Sequence, residues 1–186
     1  SYRYCMAKSK TGSFWLTETV QLDDASPAGS RAAGTIDLGA YVDVGDQQAL
    51  AIEEVDFIWQ AGIDFGGDIA NMLVANGSLG AQLTDLNPGD VFVRADDNSL
   101  IASGTINGDA TTSSVYEGTD FYPDSFGKLD EARMVVNDSL YLVVGNDNTA
   151  VGAADIFCTA RIKARIVKLS TKDWMAIAIQ STASDN

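Results

Sequence analysis

Histidine is missing from this chain of 186 residues. Its absence removes the commonest general base and the commonest metal ligand together. No Ser-His-Asp, Cys-His or HExxH arrangement can form. Positive charge is scarce: 12 Lys and Arg stand against 26 Asp and Glu, a formal net charge of −14. A surface of that sign repels phosphate, so direct nucleic-acid binding is not expected. Cysteine occurs only as Cys5 and Cys158, which make no disulfide scaffold; whether the two pair is left open. No apolar run approaches the roughly 20 residues that a membrane helix needs. The first residues, SYRYCMAKSKTG, lack the apolar centre of a secretory leader. P-loop, GxGxxG and CxxC patterns are absent. A glycosidase pair would have to come from Glu53, Glu54, Glu117 and Asp120. No motif supports one, and no enzyme is expected.

Apolar residues make up 46% of the chain, enough for a real core. The most regular stretch is IFCTARIKARIVKL, Ile156 to Leu169. Ile156, Cys158, Ala160, Ile162, Ala164 and Ile166 alternate with Thr159, Arg161, Lys163 and Arg165. Alternation of this kind predicts one long strand over 156–168, its first set buried and three cations in a row on its other face.

Shorter alternations predict further strands. One runs through Phe14, Leu16, Val20 and Leu22. DDASPAGSRAAG, Asp23 to Gly34, reads as a loop. Ile36 and Leu38, with Val42 and Val44 beyond them, read as a second strand broken around Gly39. In QQALAIEEVDFIWQ the alternation of Leu50 and Ile52 changes phase at Val55, Phe57 and Trp59, which predicts a bulge near Glu53 and Glu54. Asp68 to Ala75 fits a strand or a short helix. Leu79 to Leu86 reads as a strand, Asn87-Pro88-Gly89-Asp90 as a turn, and Val91, Val93 and Ala95 alternate again. Leu100 to Ile106 is a strand, Asn107 to Ser114 a loop, and Tyr116 to Lys128 a long connection. Ala132–Val136 and Leu140–Val144, joined by Asn137-Asp138-Ser139, form a hairpin candidate. Ser170 and Asp173 have the spacing of a helix cap, and Trp174, Ile177 and Ala178 continue at helical spacing. The result is an all-β chain: a jelly-roll-like β-sandwich of about eight strands with a short C-terminal helix. It divides into an arm (1–12), a sandwich (13–170) and a terminal helix with its tail (171–186).

Asp96, Asp97 and Asp147 sit in Asp/Asn clusters whose oxygens suit calcium, although Asp and Asn also serve simply to make turns. Neither cluster has EF-hand spacing, and no other cofactor is implied. Asn76-Gly77-Ser78 and Asn137-Asp138-Ser139 are glycosylation sequons placed where turns want Asn. Among the tryptophans, Trp59 is expected in the core, Trp15 half buried, and Trp174 holding the helix on the sandwich; a sugar platform is the rarer use. The cations Arg161, Lys163 and Arg165 either pair with acids on the neighbouring strand or face an acidic partner, such as another copy of this chain.

The segments SLYLVVGNDNT (Ser139 to Thr149) and DIFCTARIKARIVKLSTKDW (Asp155 to Trp174) close the chain with a hairpin, a long strand and a short terminal element. Together with the basic arm Arg3 to Lys10, this layout resembles viral capsid proteins of the single jelly-roll type. The resemblance implies a self-assembling coat protein located in a virion. Its subunit contacts would use Arg3, Lys8, Lys10, Arg161, Lys163 and Arg165, with Trp174, Met175 and Ile179 supplying apolar contact. An arm with only three basic residues departs from the Arg-rich arms of many small coat proteins. It suits a virion in which an internal membrane or a second protein faces the genome. The alternative is a secreted or cell-surface β-sandwich binding module, calcium-dependent if the aspartates bind metal.

Overall fold

The structure, a computed structural model, describes residues 7–64, 72–109, 114–117, 126–127 and 132–182, with 114–117 and 181–182 as backbone only. Among the described residues, ten strands and one helix follow in order. They are β1 (Lys8–Ser9), β2 (Phe14–Leu22), β3 (Arg31–Asp37), β4 (Gln48–Ala61), β5 (Gly77–Thr84) and β6 (Leu100–Asp109). Then come β7 (Ser114–Glu117), β8 (Arg133–Val135), β9 (Ser139–Asp147), β10 (Ile156–Lys168) and α1 (Thr171–Thr182).

All pairings are antiparallel and make two sheets. In the first sheet β10 lies between β4 and β2, with β8 beyond β4 and β1 continuing the edge position of β2. The second has the order β3-β9-β5-β6-β7. Six of the nine steps between successive described strands cross from one sheet to the other, which is the doubled Greek key of a jelly roll. Leu50, Ile52, Val55, Ile156, Cys158 and Ile162 from the first sheet meet Leu79, Leu83, Leu140 and Leu142 from the second in one apolar core.

The long strand has the expected bounds, and Ile156, Cys158, Ala160, Ile162 and Ala164 are fully buried. Ile166 is only partly buried. Pairing with β2 ends at Ala164, and on that side the strand is then flanked only by the two residues of β1, while β4 continues along the other side. The bulge is at Glu53: Lys163 stands opposite Glu54 and Ala164 opposite Ile52, so Glu53 is the extra residue. Past it, both faces of β4 are covered. Leu50 and Ile52 enter the main core, while Ala49 and Ala51 join Met134, Val136, Val167, Leu169 and Ile177 in a second cluster under α1. Two-sided burial explains the unbroken apolar run that opens this strand. Ser170 caps the helix, its Oγ accepting from the Asp173 amide at 3.1 Å.

Three expectations are corrected. Arg31–Gly34 belongs to β3 rather than to a loop, because the small residues Ala32, Ala33 and Gly34 hide an edge strand pressed against β2. The proposed hairpin around Asn137 is a crossover: β8 pairs with β4 and β9 with β3 and β5, so residues 136–138 pass between sheets. Residues 91–95 are no strand. They are held instead by one side chain: Gln82 Oε1 accepts from the Val93 amide at 2.7 Å while Gln82 Nε2 donates to the Val93 carbonyl at 3.0 Å. Phe92 then lies over the Arg31 guanidinium, 4.2 Å from it. The turn at Gly89 and Asp90 is as expected, with positive φ at both. Half of the segment 68–75 lies outside the described residues, and the other half, 72–75, is neither strand nor helix and makes only an isolated bridge from Leu73 to Val151.

Gly145 is a close-approach glycine. A Cβ there would sit 2.7 Å from the Ser30 carbonyl and collide with the Arg31 guanidinium. Gly145→Ala is therefore expected to destabilise the sandwich by about 1–3 kcal/mol, the usual range for overpacking. A urea-denaturation midpoint checks this.

Candidate assembly surface

Two surfaces carry the residues singled out by the sequence. The first is the outer face of the β2-β10-β4 sheet. Along β10, Arg161 stands opposite Asp56 and Lys163 opposite Glu54 on β4, and on the other side they stand opposite Thr17 and Trp15 of β2. Two of the three cations are thus matched by acids in register, and such cross-strand pairs contribute about 0.2–1 kcal/mol each. The Trp15 ring stacks on the Arg161 guanidinium at 5.1 Å and is 44% exposed. Arg161 is exposed and Lys163 partly so.

Arg165 is different. Its side chain is 16% exposed, and Nε lies 3.2 Å from Glu53 Oε1, whose side chain is 4% exposed. Ser13 Oγ donates to the same Glu53 oxygen at 2.5 Å, and Arg165 Nη2 donates to Ser13 Oγ at 3.0 Å. Burial alone would push the Glu53 carboxyl up. The hydrogen bonds from Ser13 and Arg165, with the charges of Arg165 and Lys163, outweigh it and hold the carboxyl below its usual range. Arg165 is therefore engaged within its own chain. Glu53 is a structural anion at a bulge, and Glu54 faces Lys163. Glu117 and Asp120 lie outside the described side chains.

The second surface is α1. Trp174, Ile177 and Ala178 pack on the second cluster, and Ala7 joins them from the N-terminal side. Trp174 thus turns onto its own sheet, and its buried Nε1 has no acceptor among the described residues. Met175 and Ile179 face outward, 50% and 62% exposed. They are four positions apart, so they share one face of the helix. Lys8 and Lys10 are exposed near this end, with Lys10 Nζ donating to Gln48 Oε1 at 3.0 Å. Arg3 and Cys5 lie outside the described residues. Cys158 is a buried free thiol whose pKa burial pushes up, which makes it an inert core residue.

The calcium candidates are not brought together. Asp97 Oδ1 accepts from the amide and hydroxyl of Ser99, Asp147 forms an ion pair with Arg31 at 2.9 Å, and exposed Asp96 lies 3.9 Å from Arg94. Among the described residues no three Asp, Glu or Cys side chains are grouped to hold a metal. A cleft of about 620 Å³ opens beside Trp174, between Val42, Leu86, Val136 and Tyr141. The strand crossover between β8 and β9, invisible in the sequence, forms one wall of it.

No model of a known protein family matches the chain, and no curated protein matches it. Solved structures similar in fold include VP1 of Trichodysplasia spinulosa-associated polyomavirus in complex with GM1 oligosaccharide, at 8% identity and TM-score 0.44 over 90% of this chain and 99% of that one. Merkel cell polyomavirus VP1 in complex with GD1a oligosaccharide aligns at 6% identity and TM-score 0.44, over 88% and 99%. The unassembled KI polyomavirus VP1 pentamer aligns at 10% and 0.43, over 91% and 100%. The likeness is one of fold.

Proposed function

We propose that this chain is a structural protein that assembles with copies of itself, as the major coat protein of a virion shell. The observation that supports this best is the outward apolar pair Met175 and Ile179 on a helix whose other face is already anchored. A docked helix that still presents large apolar side chains has a second surface to cover, and a copy of the same rigid sandwich is the occupant that fits a shell. Other virion proteins or an internal membrane would then face the genome. Copies carrying a net charge of −14 repel one another within about 10 Å at 0.1 M salt, so assembly is favoured by screening or by divalent ions.

Size-exclusion chromatography with electron microscopy, run across salt and calcium, tests the reading. Regular particles are expected from the native chain. Met175→Asp with Ile179→Asp should abolish them while leaving the thermal transition within a few degrees. A native chain that stays small under every condition, or a double variant that assembles normally, overturns the reading. Deleting α1 is a poorer test, because it uncovers Ala49, Ala51, Val167 and Leu169. The cleft beside Trp174 favours one second reading, a binding module of the cell surface. It would show a small, monomeric protein that takes up a ligand.

A further inference from the structure

Among the described residues, the first sheet has an open edge. β2 runs for nine residues and pairs with β10 on one side without any shift of register. No backbone hydrogen bond reaches its other side from any described residue. Edges are normally guarded by lysine, proline, a bulge or short length. FWLTETVQL has no lysine, no proline and no bulge, and its outward residues Trp15, Thr17, Thr19 and Gln21 are uncharged. The only guard is Glu18 in the middle of the strand, which alternation turns toward β3: a Cβ on Gly34 would lie 2.9 Å from its carboxylate.

We propose that this edge pairs antiparallel with the same strand of a second copy, about a two-fold axis through Glu18. The sequence is self-complementary in that register. Phe14 falls opposite Leu22 of the second copy and Leu16 opposite Val20, both pairs apolar on the inner face. Thr17 falls opposite Thr19, continuing a row in which Thr19 already bonds Thr159 at 2.8 Å. Charge agrees at both ends. The strand is preceded by exposed Lys8 and Lys10 and followed by exposed Asp23 and Asp24. Antiparallel pairing therefore brings the cations of each copy beside the acids of the other, whereas parallel pairing would set like beside like. The single mismatch is Glu18 against Glu18. Burial already raises the pKa of this carboxyl within one copy, and a facing carboxylate adds repulsion. The interface is separate from α1, so it stands or falls apart from the coat-protein reading.

Sedimentation equilibrium on the full chain carrying Met175→Asp and Ile179→Asp isolates this contact from any larger assembly. A reversible dimer is expected. Glu18→Gln should tighten it about fivefold, the effect of relieving one like-charge cross-strand pair. Lys10→Glu and Asp24→Lys should each weaken it, and the two together should restore it, because the charges are exchanged across the two-fold axis. Thr17→Lys with Thr19→Lys should abolish it. Hydrogen exchange of the peptide 14–22 should slow as concentration rises. A monomer at all concentrations, a charge-swapped double variant no better than either single one, or protection confined to β3 would each overturn the proposal.

Discussion

Arg165→Ala is expected to destabilise the sandwich by about 3–5 kcal/mol, the cost of leaving a buried charge without its partner. The partner is Glu53, 4% exposed, placed at the bulge where β4 gains one residue over β10. In the variant, Ser13 remains as a donor, and one neutral hydrogen bond does not replace a guanidinium. Glu53→Gln strands the cation instead and should cost less, because Arg165 is 16% exposed and can reach water. The same pair sets an acid limit. Glu53 is held below its ordinary pKa, so its contribution is fully present above the unfolded-state value, about 4.3. It is lost as pH falls through the lower, folded-state value. Urea midpoints at pH 7 and pH 3 should therefore differ more for the native chain than for Glu53→Gln. Equal differences would mean that the pair contributes nothing. Reversing Arg165 to Glu, attractive as a test of assembly, would place two carboxylates together at the bulge and unfold the chain first. Arg161, exposed and stacked on Trp15, is the residue to reverse for that purpose.

Ile162→Asp should leave no folded protein at 25 °C. Ile162 is wholly buried at the centre of β10, with Leu16 opposite it on one side and Val55 on the other. A carboxylate there has neither a partner nor a path to water, and a cost of several kcal/mol approaches the whole 5–15 kcal/mol stability of a typical domain. Ile162→Ala separates the charge from the cavity. It should cost about 2–5 kcal/mol and still fold. Circular dichroism in the near ultraviolet distinguishes the two, and a native-like spectrum for Ile162→Asp would refute the burial.

What the sequence shows clearly is what one element determines alone. β10 is legible because its burial alternates residue by residue from Ile156 to Arg165. The bulge is legible because alternation changes phase there, and the helix start because Ser170 and Asp173 cap it. Where two elements distant in sequence decide the outcome, the sequence is silent. A three-residue link after Val135 serves equally as a hairpin turn or as a crossover, and only the sheet that each strand joins distinguishes them. Arg31–Gly34 packs through the smallness of its side chains, which leaves no apolar period to read. The stripe Arg161, Lys163, Arg165 was visible, but Arg165 has its partner 112 residues away, and no spacing rule connects the two.

The strand order also bears on how the chain is made. β10 leaves a ribosome after the other described strands, yet it lies inside its sheet, between β2 and β4. β9, the strand before it, occupies the corresponding place between β3 and β5. Until both emerge, β2 and β4 have nothing between them, nor have β3 and β5, and apolar strands wait with unpaired edges. Closure is thus deferred until β9 and β10 have been made, when long loops must be drawn together at once. A nascent chain halted before Asp138 would possess most of the strands and neither complete sheet, and it would be prey to the pairings between unfinished copies that a completed sandwich resists.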